Sequence, residues 1–143
     1  MNGSTHPEGS RAFDREYEGT LESLRSTRND VSAWLRTNEC DHEMVERAVL
    51  VTSELASNAV QAAPGCPYRV TIRAAGESLV ELAVSNQFVS TSPPDRDRWF
   101  PTTPTAPRGR GLSIVEALSR DVRVDVDDSV VCVTALLQTA PDQ

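Results

Sequence analysis

The sequence has few of the residues that build metal sites and disulfide frameworks. Its 143 residues include three cysteines and two histidines. Cys40, Cys66 and Cys132 are far apart and odd in number, so their spacing argues against both a zinc site and a set of disulfides. We expect three small thiols, buried or half-buried, in a reducing compartment.

Long apolar runs are also missing. No stretch approaches the roughly 20 apolar residues that a membrane-spanning helix needs. Residues 1–10 are polar and glycine-rich, unlike a signal peptide. These absences predict a cytoplasmic protein without membrane contact.

Positive charge is scarce as well. Arginine and lysine together number 14 against 21 acidic residues, which gives a formal net charge of −7. A free-standing nucleic-acid-binding protein normally has a basic face, so we predict no direct contact with nucleic acid. An acidic surface instead suits a partner that is itself basic.

What is present is the composition of one small domain. Hydrophobic residues make up 38% of the chain, which is enough for one modest core. We predict a single domain at 13–138, preceded by a flexible N-terminal tail at 1–12 and followed by a C-terminal tail at 139–143.

Apolar periodicity divides this domain into helices and strands. Thr20 and Asp41 are predicted N-caps of two helices, and Pro64 with Gly65 ends the second helix. The apolar stripe predicted for the first helix is broken near Thr27 and consists of Leu21, Leu24, Val31, Trp34 and Leu35.

The order of the predicted elements indicates the fold class. Strands grouped as hairpins with helices between them predict an α+β sandwich, in which about three helices cover one face of a mostly antiparallel, mixed sheet. The predicted elements are an edge strand at 13–17, helices at about 21–37 and from 41 to 63, a hairpin of 67–73 and 79–86, a short helix opening at 111–112, and a hairpin of 122–126 and 130–137.

Residues 89–110 interrupt this regularity. Five prolines and repeated serine, threonine, aspartate and arginine residues predict a long loop. A loop of this length inside a compact domain is usually functional or disordered.

Glu54 and Asn58 lie four residues apart in the second predicted helix. This spacing places both side chains on one face, one turn apart and beside the apolar stripe. A carboxylate next to an amide oxygen suits a hard cation held together with phosphate, and the carboxylate can act as a base for a nearby hydroxyl or water. Considered alone, such a pair is more often a solvated helix edge.

Residues 108–112 (RGRGL) stand where the long loop meets the third predicted helix. Glycines allow the backbone to approach a ligand closely, and the free N–H groups of a helix start attract phosphate. Arg108 and Arg110 add charge that could pair with a triphosphate. Considered alone, two glycines before a helix are more often a turn, and Asn86 at the end of a strand is most often a turn former.

Together and in this order, the motifs resemble one family, the GHKL ATPases with the Bergerat fold. Residues 50–60 (LVTSELASNAV) resemble the N box of that family. Residues 108–118 (RGRGLSIVEAL) resemble its second glycine box in the form typical of actinobacterial anti-sigma-factor serine kinases. Residues 17–24, followed by Arg28 and the pair at 34–35, resemble the opening strand and helix. The similarity extends from about 13 to 137.

The resemblance implies a function and assigns roles to particular residues. It implies an ATP-dependent serine/threonine kinase that binds a sigma factor and phosphorylates an anti-anti-sigma protein of the STAS type. Glu54 would be the catalytic base for a serine hydroxyl, and Asn58 would hold Mg²⁺ between the phosphates of ATP. Residues 89–107 would form a lid over the nucleotide. The nucleotide-binding residues would be Asn58, Asn86, Arg108, Gly109, Arg110, Gly111 and Leu112.

The sequence departs from the family pattern at the first glycine box. The family has Asp-x-Gly-x-Gly where this chain has residues 86–90 (NQFVS), and Ala62 replaces a histidine found in many relatives. Exchanging the charged acceptor for neutral Asn86 costs about 1 kcal/mol, which corresponds to about fivefold in affinity. Phe88 and Ser90 cannot freely adopt a positive φ, and Phe88 adds bulk where the backbone should approach the base.

These departures leave several functions open. The site could bind ATP weakly, or it could prefer guanine, because an asparagine amide can donate to a carbonyl. A nucleotide-independent protein-binding module on the same fold is the main alternative, and an accessory ATPase-fold subunit of another bacterial signalling system is a third. The family also suggests a homodimer formed through the sheet or the first helix.

Overall fold

The computed structural model describes residues 12–76, 78–87 and 109–139. The predicted α+β sandwich is confirmed, with three helices and five strands in this part of the chain. The elements in chain order are β1 (Ala12–Tyr17), α1 (Ser23–Thr37), α2 (His42–Ala62), β2 (Tyr68–Gly76), β3 (Leu79–Gln87), α3 (Gly109–Leu118), β4 (Asp121–Asp127) and β5 (Val130–Gln138).

The five strands form one sheet in the order β1-β2-β3-β5-β4. Every pairing of the described strands is antiparallel, where a partly mixed sheet was expected. The reason lies in the connections. Two helices separate β1 from β2, so the chain returns in the opposite direction, and β5 lies between β3 and β4, which therefore run parallel without being neighbours.

One face of this sheet packs against the helices and the other does not. Val70, Ile72, Leu82 and Val84 alternate along β2 and β3 on the helix side, and each is at most 2% exposed. The opposite face carries ion pairs between neighbouring strands, such as Arg69 with Asp14. This division into an apolar and a polar face is usual for an antiparallel sheet with one solvated side.

Helix α2 is the centre of the helical layer. Its start is as predicted, because Asp41 Oδ1 accepts a hydrogen bond from the Met44 backbone N–H at 2.8 Å. Beyond its end, Gly65 takes a positive φ of 83° that reverses the chain. The helix buries Met44, Val45, Ala48, Val51, Thr52, Leu55, Ala56, Ala59 and Val60.

The start of α1 differs from the prediction. The N-cap position is occupied by Glu22, which makes no side-chain capping bond, and Thr20 lies two residues earlier. The Thr20 hydroxyl still accepts a hydrogen bond from the Ser23 N–H at 3.3 Å. Leu21 therefore precedes the helix and is 65% exposed, so its assignment to the apolar stripe was wrong, whereas Val31 and Leu35 are fully buried as expected.

Gly19 joins two connections at one end of the molecule. Its carbonyl oxygen accepts a hydrogen bond from the Gly65 N–H at 2.9 Å. A Cβ atom at position 19 would collide with the backbone carbonyl of Cys66. The segment between β1 and α1 is therefore fixed against the segment between α2 and β2.

Within the described residues, none of the helices is long and apolar enough to cross a membrane.

Candidate functional site

Helix α2 presents Glu54 and Asn58 at the border of its buried face. Both residues are half-buried, and both flank the fully enclosed stripe that contains Leu55, Ala56 and Ala59. The spacing of four residues in a continuous helix gives the shared side that the sequence predicts.

The Asn58 amide is the unusual group in this region. Its Nδ2 atom is buried and has no hydrogen-bond partner among the described residues. An unpaired buried polar group costs about 1–3 kcal/mol, so such groups are rare unless something else satisfies them. Glu54 also forms no ion pair with any residue in the described ranges. Thr52, Ser119 and Thr139 also have a buried hydroxyl oxygen without a partner among the described residues, and Asn58 differs from them in lying one turn from the half-buried carboxylate of Glu54.

Asn86 is the last residue but one of β3, as the predicted strand at 79–86 requires, and it does not form a turn. It is 5% exposed and is paired in register with Tyr68 of β2 and Val131 of β5, which places it on the helix side of the sheet. Its Nδ2 donates to the carbonyl oxygen of Gln87 at 3.2 Å. This contact uses one of the two N–H donors of the amide, and the Oδ1 atom remains as an acceptor.

A hydroxyl network next to Asn86 was missed by the sequence analysis. The Tyr68 hydroxyl lies 2.8 Å from Ser23 Oγ and 2.7 Å from Thr27 Oγ1, and the Thr27 hydroxyl also donates to the Ser23 carbonyl. The Tyr68 ring stacks on Tyr17 with centroids 5.6 Å apart. The signal in the sequence was the break in the α1 stripe at Thr27, because a buried threonine in an apolar stripe needs a polar partner.

Tyr17 extends the same network to the surface. Burial raises the pKa of its phenol, and the hydrogen bond that it donates to Asp30 at 2.8 Å raises this pKa further. Asp30 also pairs with Arg15 at 2.7 Å, and the negative charge of Asp30 raises the pKa of that guanidinium. These contacts connect β1, β2 and α1 beside the buried end of β3.

The third part of the site is the start of α3. The predicted helix opening at 111–112 begins two residues earlier, so Gly109, Arg110, Gly111 and Leu112 form its first turn instead of a separate loop. Val115 anchors this helix with no exposed surface, and α3 packs against α2. The free N–H groups of its first turn are suited to an anion. Arg108, Phe88, Ser90 and the predicted lid at 89–107 lie outside the described residues.

The possible metal ligands of this site suit one cation that is bound together with phosphate. In the described ranges no group of three or more histidine, cysteine, aspartate and glutamate side chains could hold a metal ion. Asn58 offers one amide oxygen, Oδ1, as a ligand, and Mg²⁺ in nucleotide sites takes few protein ligands and completes its shell with phosphate oxygens and water. The unpaired Nδ2 atom is a hydrogen-bond donor, so it suits a phosphate oxygen and not the cation. The residues therefore fit Mg²⁺ bound together with a nucleotide.

An antiparallel sheet under one helical layer, with polar groups between a central helix, a strand end and a helix start, defines a two-layer α/β sandwich with its site on the helix side. The chain belongs to the family of histidine kinase-like ATPase domains, whose model matches residues 17–136. This range contains Glu54, Asn58 and Asn86. It also contains the first turn of α3.

The comparison with solved structures supports the same fold. The chain is similar to the crystal structure of the RsbU and RsbW domains of Rv1364c from Mycobacterium tuberculosis, with a TM-score of 0.65 and 19% sequence identity. The alignment covers 89% of this chain and 32% of that one, so the chain spans about a third of the length of the protein that it matches. No curated protein matches the sequence significantly.

Proposed function

We propose that this chain is a bacterial regulator of the anti-sigma-factor type, which binds ATP and Mg²⁺, binds a sigma factor, and phosphorylates a serine on an anti-anti-sigma partner. The observation that carries the proposal is the buried, unpaired Nδ2 donor of Asn58, one turn from Glu54, which suits a phosphate oxygen and leaves Oδ1 as the ligand for Mg²⁺. Family membership and the resemblance of residues 50–60 and 108–118 to the kinase branch support the same function.

Each part of the site has a role in this proposal. The Asn86 Oδ1 atom accepts a hydrogen bond from the amino group of adenine. Asn58 provides the protein ligand for Mg²⁺, which when bound neutralises charge on the phosphates. The N–H groups at the start of α3 bind phosphate oxygens, and the side chains of Arg108 and Arg110 add positive charge there.

The chemistry assigned to Glu54 is general base catalysis. The hydroxyl oxygen of the partner serine forms a bond to the γ-phosphorus of ATP, and the bond from that phosphorus to the β,γ-bridging oxygen breaks, which releases ADP. The Glu54 carboxylate accepts the serine proton. General base catalysis of this kind typically contributes about 10²–10⁴-fold to the rate.

A second candidate function is protein binding without nucleotide. It is favoured by Asn86, which replaces the charged residue of the family and uses its amide donor on the neighbouring carbonyl of Gln87. An accessory ATPase-fold subunit of another signalling system would have the same site chemistry but different partners.

Isothermal titration of the full chain with Mg-ATP, with ADP and Mg-GTP in parallel, separates these functions. Micromolar binding of Mg-ATP is the expected result, and Asn58→Ala should weaken it. Gln61→Ala is the matched control, because Gln61 is an exposed residue of the same helix. Binding of GTP alone would show a changed base preference. Absence of heat with every nucleotide into the millimolar range would reject the kinase function and leave protein binding.

A further inference from the structure

A groove lies between α1 and α2 and opens to solvent. Its volume is about 590 Å³. The floor is apolar and comes from α2, where Val45 is buried, Val49 is half-buried and Leu50 is 41% exposed. A single exposed leucine is ordinary for a protein surface, so what distinguishes the groove is the charge beside this floor.

Two arginines of α1 flank this floor. Arg28 and Arg36 both line the groove, and neither forms an ion pair with a described residue. Arg28 makes only a long hydrogen bond of 3.4 Å to Ser53 Oγ.

Five other arginines of the described chain form ion pairs, whereas Arg25 and Arg120 do not. Those at the surface of the sheet and at the start of α2 pair with carboxylates at 2.6–3.1 Å, and they are Arg15, Arg47, Arg69, Arg73 and Arg123. On a chain with a net charge of −7, two unpaired guanidiniums beside an apolar floor are a distinct feature.

The spacing of these groups identifies the shape of an occupant. Arg28 and Arg36 are eight residues apart, which is about 12 Å along a helix at about 1.5 Å per residue. An α-helix lying in the groove would reach both with two carboxylates about two turns apart, and an apolar residue between them would contact Leu50. Arginine favours this arrangement because its planar guanidinium binds carboxylate in a bidentate manner.

We infer that the groove between α1 and α2 binds an acidic amphipathic helix of a partner protein. Nucleic acid is disfavoured, since the described residues of the groove offer only two cations around an apolar floor, whereas a phosphate backbone is bound by many cations. Glu46 also lines the groove, on the α2 side. A nucleotide is disfavoured as well, because the groove offers side chains and an apolar floor, whereas phosphate sites use the free N–H groups of a helix start.

The groove is distinct from the candidate nucleotide site but shares α2 with it. Ser53 lines the groove, and Glu54 follows it in the chain, so a helix docked here lies within about one turn of Glu54. The inference rests on the proposed function only in requiring a protein partner, and nucleotide binding is not part of it.

The test is selection from a display library of helical peptides that carries acidic, basic and neutral residues at random on its surface positions. The full chain is immobilised through an amine-reactive tag, which attaches at the N terminus alone because the sequence contains no lysine. We expect the selected peptides to carry carboxylates seven or eight residues apart around an apolar residue.

The affinity of the selected peptides for variants locates the binding surface. Leu50→Asp, and Arg28→Glu combined with Arg36→Glu, should each weaken binding by about tenfold or more. Arg25→Glu is the matched control, because Arg25 is an exposed cation of α1 that does not line the groove. Peptides with lysine in place of the two acidic residues should recover affinity for the double glutamate variant.

Several results would overturn the inference. Selected peptides without acidic preference, no enrichment, or equal binding to the groove variants would each reject it. If the groove variants instead changed the sedimentation of the protein alone, the occupant would be a second copy of the chain. Asn58→Ala should retain peptide binding while losing nucleotide, which separates a failure of this inference from a failure of the proposed kinase.

Discussion

The candidate site has an asparagine at each end, Asn58 on α2 and Asn86 on β3, and the hydrogen bonds of their amide groups differ. On α2, the Asn58 amide is buried and has no partner in the described part of the chain. On β3, the Asn86 amide donates to the carbonyl of the next residue. The Asn58 donor is therefore free to bind another molecule, whereas the Asn86 donor already has a hydrogen-bond partner in its own strand.

This difference matters for the proposed function, which assigns the two ends to different parts of a nucleotide. The α2 end keeps the residues that the family resemblance assigns to phosphate and catalysis. The β3 end, assigned to the base, is the one that departs from the family.

The largest expected effect is at Glu54. Glu54→Ala and Glu54→Gln should lower phosphotransfer by about 10²–10⁴-fold while leaving the affinity for Mg-ATP within about twofold, because the carboxylate acts on the serine proton and not on the nucleotide. Single-turnover transfer from radiolabelled ATP to an anti-anti-sigma protein of the same bacterium measures the rate, and calorimetry measures the affinity. Transfer at the normal rate in both variants would show that Glu54 is not the base.

The second prediction tests whether Asn58 contributes to nucleotide binding and lowers the stability of the free protein. Asn58→Ala should weaken Mg-ATP binding by about tenfold or more, because it removes the amide that holds the cation. Without nucleotide, the variant should be at least as stable as the wild type, since alanine is the better helix former and no unpaired amide remains. Denaturant unfolding with and without Mg-ATP measures both quantities. A clear loss of stability in the free variant would mean that Asn58 has a structural role.

The features that the sequence predicts correctly are those determined by residues close together in the chain. Helix α2, its Asp41 cap and the two hairpins follow from local periodicity and turn chemistry, and the structure confirms them. The i, i+4 placement of Glu54 and Asn58 is equally local. Their roles stay a prediction.

What the sequence could not predict is non-local. The bond between Tyr68 and Thr27 joins positions 41 residues apart, and only the folded chain shows why a threonine interrupts an apolar stripe. The predicted strand at 79–86 already contains Asn86, but the burial of its side chain depends on neighbours distant in the sequence, Tyr68 and Val131. The apolar periodicity of the sequence also failed to predict the exposure of Leu21, because α1 begins two residues after it.

The third prediction concerns the support of the β3 end. Tyr68→Phe should lower the free energy of unfolding by about 1–2 kcal/mol, because the buried Thr27 hydroxyl and the half-buried Ser23 hydroxyl each lose their contact with the phenol. Tyr17→Phe removes an outer contact of the same network and should cost less. Denaturant unfolding compares the two variants. A smaller loss for Tyr68→Phe than for Tyr17→Phe would place the stabilising contact at Asp30 instead.

The smallest expected effect is that of a substitution at Asn86 that introduces the negative charge of the family's aspartate. Asn86→Asp should raise the affinity for ATP by about fivefold, since a carboxylate makes a charge-assisted hydrogen bond to the adenine amino group where asparagine makes a neutral one. GTP affinity should not rise, because guanine presents a carbonyl oxygen at that place. Gln87→Glu supplies the control, as it adds the same charge at an exposed neighbouring position. If Asn86→Asp left ATP affinity unchanged while Asn58→Ala reduced it, the nucleotide would be held by its phosphates alone, and the two ends of the site would have separate histories.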